Sequence, residues 1–226
     1  WMLSANGTIF TYEYEAIIPG LLKRWYEERQ EMQRKMRDCG DNEIEREYWD
    51  KRQLVKKINL NSLYGAILNP GCRFFDIRIG QSVTLTGRCI TKHMASKVNE
   101  IVAGKYDHKG ESVVYGDTDS VYFSAYKTLQ KEIDEGLIPW TKDSVLGLYD
   151  KIAEEVNGSF KSFMTRAFHT PSTRGEVIAA GRELVASKGL FITKKRYAVL
   201  YYDKEGKRAD VEGKDGKMKA MGLDLK

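Results

Sequence analysis

The feature that most limits how this chain can fold is the stretch Val113-Val114-Tyr115-Gly116-Asp117-Thr118-Asp119-Ser120-Val121-Tyr122-Phe123. Its ends are β-branched or aromatic and its middle is made of turn formers, so it reads strand, turn, strand. Such a turn lifts Asp117 and Asp119 out of the sheet, one residue apart. Two carboxylates so close repel each other, and the arrangement becomes cheap only when a divalent cation or basic neighbours sit beside them. Hard oxygen ligands next to a polyphosphate suit magnesium. Taken alone, a tripeptide of this kind is more often an exposed Asp-rich turn with no chemistry, so the rest of the chain has to decide.

With 226 residues the chain can bury a core and hold one large or two small domains. Lysine and arginine (37) exceed aspartate and glutamate (32), a net charge of +5 that hints at a polyanionic partner without establishing one. Cys39, Cys72 and Cys89 are odd in number and form no CxxC or Cys/His pattern, which points to reduced thiols in a cytosolic protein. No apolar run approaches a membrane span, and no charged-then-apolar leader stands at the start. A chain that begins on Trp1 reads as a partial gene product.

Taken in order, Trp1 to Leu3 and Thr8 to Tyr12 flank an Asn6-Gly7 hairpin signal. Leu22, Trp25, Arg29, Met32 and Met36 then recur at helical steps from Pro19 to a stop at Asp38-Cys39-Gly40-Asp41. Asn42 with Glu45 resembles a capping box opening a second helix down to Gly65, so the two form an antiparallel hairpin. On the second helix Lys57, Asn61 and Tyr64 share one face. With the turn centred near Gly40, Arg29 falls opposite a residue about one and a half turns before Lys57, roughly 9 Å along the axis, so both cations can grip one polyphosphate.

An irregular bridge, Gly71 to Arg78, leads to a long core helix traced from Val83 to Ile101 and ended by Gly104. His93, His108 and His169 are scattered and none reads as a ligand or base. Another amphipathic helix spans Ser144 to Phe168. Glu176 to Ala180 and Leu190 to Tyr202 are β-like, and Asp203 to Lys207 turns the chain. Inside the second run, Lys194-Lys195-Arg196-Tyr197 alternates so that Lys195 and Tyr197 share one face and Lys194 and Arg196 the other, each reaching toward phosphates. A charge-guarded edge strand would look the same.

Three segments, Lys57-Ile58-Asn59-Leu60-Asn61-Ser62-Leu63-Tyr64-Gly65, Tyr115-Gly116-Asp117-Thr118-Asp119-Ser120 and Lys194-Lys195-Arg196-Tyr197, resemble, in that order, three signature segments of family B DNA polymerases. Arg73-Phe74-Phe75-Asp76-Ile77-Arg78 and Met221-Gly222-Leu223-Asp224 look most like the replicative enzymes of T-even-type bacteriophages, whose fingers are longer. The resemblance implies an α+β fold in which an antiparallel palm sheet, with the Asp117 to Asp119 turn near its middle, packs on helices and an antiparallel helical hairpin projects. Residues 1–15 would be a palm-edge hairpin, 16–68 the fingers and 69–226 the palm.

It also implies template-directed DNA synthesis on primer-template DNA, with two magnesium ions driving nucleotidyl transfer from a deoxynucleoside triphosphate to a primer 3′-hydroxyl. Lys57 and Arg29 match triphosphate-binding cations, and Asn61 and Tyr64 match positions lining the nascent base pair. Asp119 matches a metal ligand, with Asp117 beside it and Glu176 as a further carboxylate. Lys194, Lys195, Arg196 and Tyr197 match the duplex-binding segment. Arg174 stands where a second acid is usual and Gln33 replaces a phosphate-facing cation.

The family draws another metal-binding aspartate from an upstream Asp-Phe-x-Ser-Leu-Tyr-Pro-like stretch, which nothing before Trp25 matches. The expectation is therefore a fingers-and-palm piece of a split or truncated polymerase in a phage-infected bacterial cytoplasm. It would be inactive alone and completed by an N-terminal polypeptide, with a thumb-bearing segment and a replisome clamp as further partners. The rival readings are a catalytically inactive DNA-binding derivative, and a reverse transcriptase or metal-dependent nuclease. Reverse transcriptases more usually carry adjacent aspartates.

Overall fold

The computed structural model describes residues 1–211 and 213–223, so Asp224 of the closing tetrapeptide lies outside them. The fold is α+β, with antiparallel sheets packed with helices. It divides into two compact units, Trp1–Leu85 and Thr86–Lys226. No described helix is long and apolar enough to cross a membrane.

In the first unit, β1 (Met2–Leu3) pairs antiparallel with β2 (Ile9–Phe10) around the expected Asn-Gly turn, with Gly7 at φ 83°. Asn6 does more than turn the chain. Its amide donates to the Arg78 carbonyl and its oxygen accepts from Ser82 Oγ, which ties the hairpin to the start of α3 (Ile77–Ala103). Helix α1 (Ile17–Asp38) tolerates Pro19 because it lies in the first turn, where N–H groups lack helical acceptors. Gly40, at φ 55°, reverses the chain into α2 (Glu43–Ile67), whose N-cap Asn42 accepts from the Glu45 N–H as expected. The long helix begins six residues before Val83, at Ile77, because Asp76 caps it: Oδ1 accepts the Arg78 N–H at 2.9 Å. The Arg78 guanidinium and that backbone bond hold the Asp76 carboxyl down to about 2.

The second unit holds the core. Val98 of α3 packs with Ile152, Val156 and Phe160 of α5 (Lys142–Phe168), and Val113 and Phe123 of the acidic hairpin rest on them. A capping box between Thr141 and Ser144 starts α5, and His169 in the left-handed region ends it. β5 (Leu184–Thr193), β6 (Arg196–Lys204), β7 (Lys207–Arg208) and β8 (Lys217–Met221) form a four-stranded antiparallel sheet. Short helices α4 (Gln130–Asp134) and α6 (Ser172–Gly175) complete the unit.

Three expectations need correction. The acidic strands, β3 (Val113–Asp117) and β4 (Ser120–Phe123), are a two-stranded sheet of their own and not the middle of the larger one. Glu176 to Ala180 is not a strand. Glu176 caps α6 and the Val177 N–H bonds back to the Arg174 carbonyl, while Asn157 of α5 bonds both backbone groups of Ala180, at 2.6 and 2.7 Å, so a side chain satisfies what a neighbouring strand would have bonded. Finally, Leu190 to Tyr202 is not one strand but the end of β5, a turn at Lys194 and Lys195, and the start of β6.

Candidate active site

Strands β3 and β4 pair from Val113↔Phe123 to Asp117↔Ser120, leaving Thr118 and Asp119 as the loop. A register shift at Val114 bulges that residue outward and adds twist beneath the turn. The loop is pinned: its Thr118 carbonyl accepts from Thr91 Oγ1 of α3 at 3.0 Å. Asp117 serves the turn itself. Its Oδ1 accepts from the Thr118 N–H (2.9 Å) and Thr118 Oγ1 (3.2 Å), and these bonds, helped by the charges of Lys195 and Lys194, hold its carboxyl below the usual range. Asp119, by contrast, is exposed and has no hydrogen bond or ion pair among the described residues. The two acids thus divide into one that builds the turn and one whose lone pairs are free.

Behind the turn lies a cavity of about 680 Å³, walled by Thr91 and Met94 of α3 and Val156 and Phe160 of α5, with Asp119 and Glu183 both lining it. Residues 120–124 and 184–189 line it in unbroken succession. Successive side chains point to opposite faces of a strand, so contact with every residue in a row means that the cavity meets the strands edge-on. Neither β4 nor β5 is paired on that edge among the described residues.

Glu183, which the sequence reading did not single out, lines the same cavity as Asp119. Its Oε1 accepts from Lys219 Nζ at 2.8 Å. An acid directly before the β-prone run Leu184-Val185-Ala186 was the available signal. Glu176 lies elsewhere: it is exposed, follows the last turn of α6, does not line the cavity, and its carboxylate, pulled low by a 2.5 Å bond from Lys161, is engaged there.

The basic tetrapeptide sits at a hairpin tip. Thr193 pairs with Arg196, so Lys194 and Lys195 form a two-residue turn and point outward without alternating across a sheet. Lys195 takes φ 61°, a region that side chains other than glycine enter at a cost. Lys194, Lys195 and Arg196 are exposed. Tyr197 is not a surface residue as expected: it is 4% exposed, and its hydroxyl accepts from Tyr122 at 3.1 Å. Burial and that bond raise the Tyr122 phenol.

In the first unit, Lys57 and Asn61 are exposed and make no hydrogen bond among the described residues. Tyr64 is half-buried, its hydroxyl donating to the Gly80 carbonyl at 3.1 Å. Arg29 Nε donates to Gln53 Oε1 at 3.2 Å, which sets the register of the helical hairpin. Gln53 precedes Lys57 by about 6 Å of helix axis, closer than the 9 Å read from the sequence.

A free carboxylate at a pinned turn, an acid across a shared cavity and a basic hairpin tip are equipment for handling phosphate groups. The family model of DNA polymerase family B matches residues 4–164, and the chain belongs to that family. It is 34% identical over 184 residues to the DNA-directed DNA polymerase of Escherichia phage RB69, covering 76% of this chain and 20% of that one. It is 31% identical over 172 residues to the DNA-directed DNA polymerase of Enterobacteria phage T4, covering 69% and 18%. DNA polymerase 1 of Pyrococcus abyssi (strain GE5 / Orsay) is 27% identical over 201 residues, 89% of this chain and 21% of that one. In fold it is similar to the family B DNA polymerase of the hyperthermophilic archaeon Pyrobaculum calidifontis, with TM-score 0.50 and 22% identity over 98% of this chain and 22% of that one. The chain spans about a fifth of the length of these relatives.

Proposed function

We propose that this chain supplies the fingers and palm part of a template-directed DNA polymerase, acting on primer-template DNA and deoxynucleoside triphosphates in the cytoplasm of an infected bacterial host. The observation that carries the reading is the uncommitted Asp119 on its pinned turn, sharing a cavity with Glu183. Residues 16–68 are read as fingers, where Arg29 and Lys57 hold the triphosphate and Asn61 and Tyr64 border the base pair. Residues 1–15 are read as a palm-edge hairpin and 69–226 as palm, with Lys194, Lys195 and Arg196 on the duplex backbone.

Asp117, Asp119 and Glu183 offer hard carboxylate oxygens of the kind magnesium takes. Yet among the described residues no three acidic, histidine or cysteine side chains converge closely enough to hold an ion. The donors fit in kind and fall short in number, so Asp119 and Glu183 form one side of a metal site that a further carboxylate completes. That carboxylate is proposed to come from an N-terminal polymerase segment, in the same or a separate polypeptide, laid as a strand between the free edges of β4 and β5. A thumb-bearing segment and a replisome clamp are proposed as further partners.

Primer extension with magnesium tests the reading, using this chain, a polypeptide bearing the missing aspartate segment, and their mixture, with Asp119→Ala as control. Extension is expected from the mixture alone and from none of the Asp119→Ala samples. Extension by the isolated chain that vanishes in the control would show that no further carboxylate is needed. A mixture that binds duplex without extending it would favour an inactive DNA-binding derivative.

A further inference from the structure

The acidic turn and the basic turn lie on different sheets, and one side chain joins them. Tyr115 and Asp117 fall on the same face of β3, two residues apart. The Tyr115 hydroxyl accepts the backbone N–H of Lys195 at 2.8 Å. Its own proton is thereby left to donate toward Asp117 Oδ2, 3.5 Å away. One phenolic oxygen therefore links the left-handed residue of the basic turn to the carboxylate that builds the acidic one. The ring cannot swing: it stacks on Phe191 with centroids 5.4 Å apart, and Tyr197 and Tyr122 flank it at 5.6 and 5.9 Å. A second tie comes from beyond β8, where Arg196 Nε donates to the Gly222 carbonyl at 3.2 Å. Gly222 passes so close that a Cβ there would lie 2.4 Å from the Lys195 carbonyl oxygen.

We propose that Tyr115 is a positioning residue that holds the Lys194–Lys195 turn in register with the acidic turn, so that a duplex backbone meets cations already in place. The inference rests on the reading of that turn as a duplex contact. An ordered turn loses less freedom on binding than a loose one, and the difference appears as affinity. The Lys195 N–H is near solvent and water can replace the phenol there, so losing the hydroxyl costs order at the turn and leaves the fold standing. The cations themselves remain, and so does the number of phosphates they neutralise.

The test separates these effects. Duplex affinity of the whole chain is measured across a salt series for Tyr115→Phe, which keeps the ring and removes the hydroxyl, and for Lys195→Asn, which removes the charge with a residue that accepts the left-handed turn. Lys195→Asn is expected to reduce the slope of log affinity against log salt by about one. Tyr115→Phe is expected to weaken binding about threefold to tenfold at every salt concentration with an unchanged slope and melting temperature. Gly222→Ala, whose Cβ must displace the Lys195 carbonyl, is expected to copy that parallel offset. Wild-type affinity in Tyr115→Phe or Gly222→Ala, beside a reduced slope in Lys195→Asn, would overturn the role of Tyr115 and leave the duplex reading standing. An unchanged slope in Lys195→Asn would overturn the duplex reading, and the inference with it.

Discussion

The helical hairpin of the first unit and the core of the second are held in opposite ways. Helix α1 has no buried residue and α2 has Ile67 alone, whereas α5 buries Val145, Ile152, Val156, Phe160, Met164 and Phe168. The side-chain links between α1 and α2 include polar, partly exposed ones: the Lys56–Glu28 ion pair, the Arg29–Gln53 bond and Lys35 over the Trp49 ring at 4.7 Å. Each such link is weak because its groups stay open to solvent, and water or a ligand can replace it. A buried aromatic contributes more, and only unfolding exposes it. The contrast teaches that the hairpin can respond to a ligand at little cost, while the second unit is the platform that keeps its turns in place.

Phe160→Ala is the most direct attempt to break this comparison, with an expected loss of about 3–5 kcal/mol in denaturant melts, against less than about 0.5 kcal/mol for Ile58→Ala on the outer face of α2. Equal losses would erase the distinction. Arg182→Ala should cost nearly as much, about 3 kcal/mol, because Asp203 is 2% exposed and Arg182 is its ion-pair partner. Replacing both with apolar residues should recover most of the loss, and failure to recover would mean that the pair is not the cause.

On the hairpin the expected losses concern function, with melting unchanged for Lys57 and lowered only slightly for Arg29, whose bond to Gln53 is lost. Arg29→Ala and Lys57→Ala should each weaken nucleotide use in the completed polymerase by about 1.5–3 kcal/mol and spare duplex binding. Steady-state kinetics with varied nucleotide, set beside DNA binding, would show equal effects on both if the assignment were wrong.

The smallest effect is a pH slope confined to the second unit. His93 is buried against Phe163, its ring nitrogens bonded to Tyr106 and Ser159, and burial, with Lys97 and Arg166 nearby, lowers its pKa. The unfolded chain therefore binds the extra proton first, so stability is full above the unfolded value of about 6.5 and is lost as pH falls below it. Urea midpoints from pH 8 to 5 should show this decline in the wild type and a shallower one in His93→Gln.

Much of the fold was legible because it is written locally. Asn6-Gly7, Gly40 and the Asn42 cap each mark a chain reversal or helix start with residues that do this work in isolation. The Thr118-Asp119 turn was legible for the same reason. Its counterpart at Lys194-Lys195 was not, because no turn former stands there and the flanking residues favour strand on both sides. The reversal is instead fixed by the β5–β6 register, and its contacts are distant in sequence: the Tyr115 hydroxyl on the Lys195 N–H and the Gly222 backbone close to the Lys195 carbonyl. Glu183 was hidden in another way. Glu176 came first in the chain and took the expected role, and the shared cavity with Asp119 that singles out Glu183 exists only after folding. The burial of Tyr197 likewise follows from a ring cluster drawn from both sheets.

The Asn157 side chain that stands in for a strand also governs how this protein ages. Asn157 is followed by Gly158, and that dipeptide readily cyclises in a loose chain and loses ammonia, leaving a carboxylate or an isomerised backbone. Within α5 the glycine nitrogen is tied into the helix and both amide atoms are engaged by Ala180, so the reaction is blocked while the helix is intact. Each unfolding episode reopens it. A carboxylate formed there would still accept the Ala180 N–H but would face the Ala180 carbonyl with no proton to offer, and residues 178–180, which line the cavity, would no longer seat. Peptide mapping after storage at a mildly denaturing temperature should find a one-dalton gain at Asn157 that tracks time spent unfolded and not total time, making α5 a record of the molecule's thermal history.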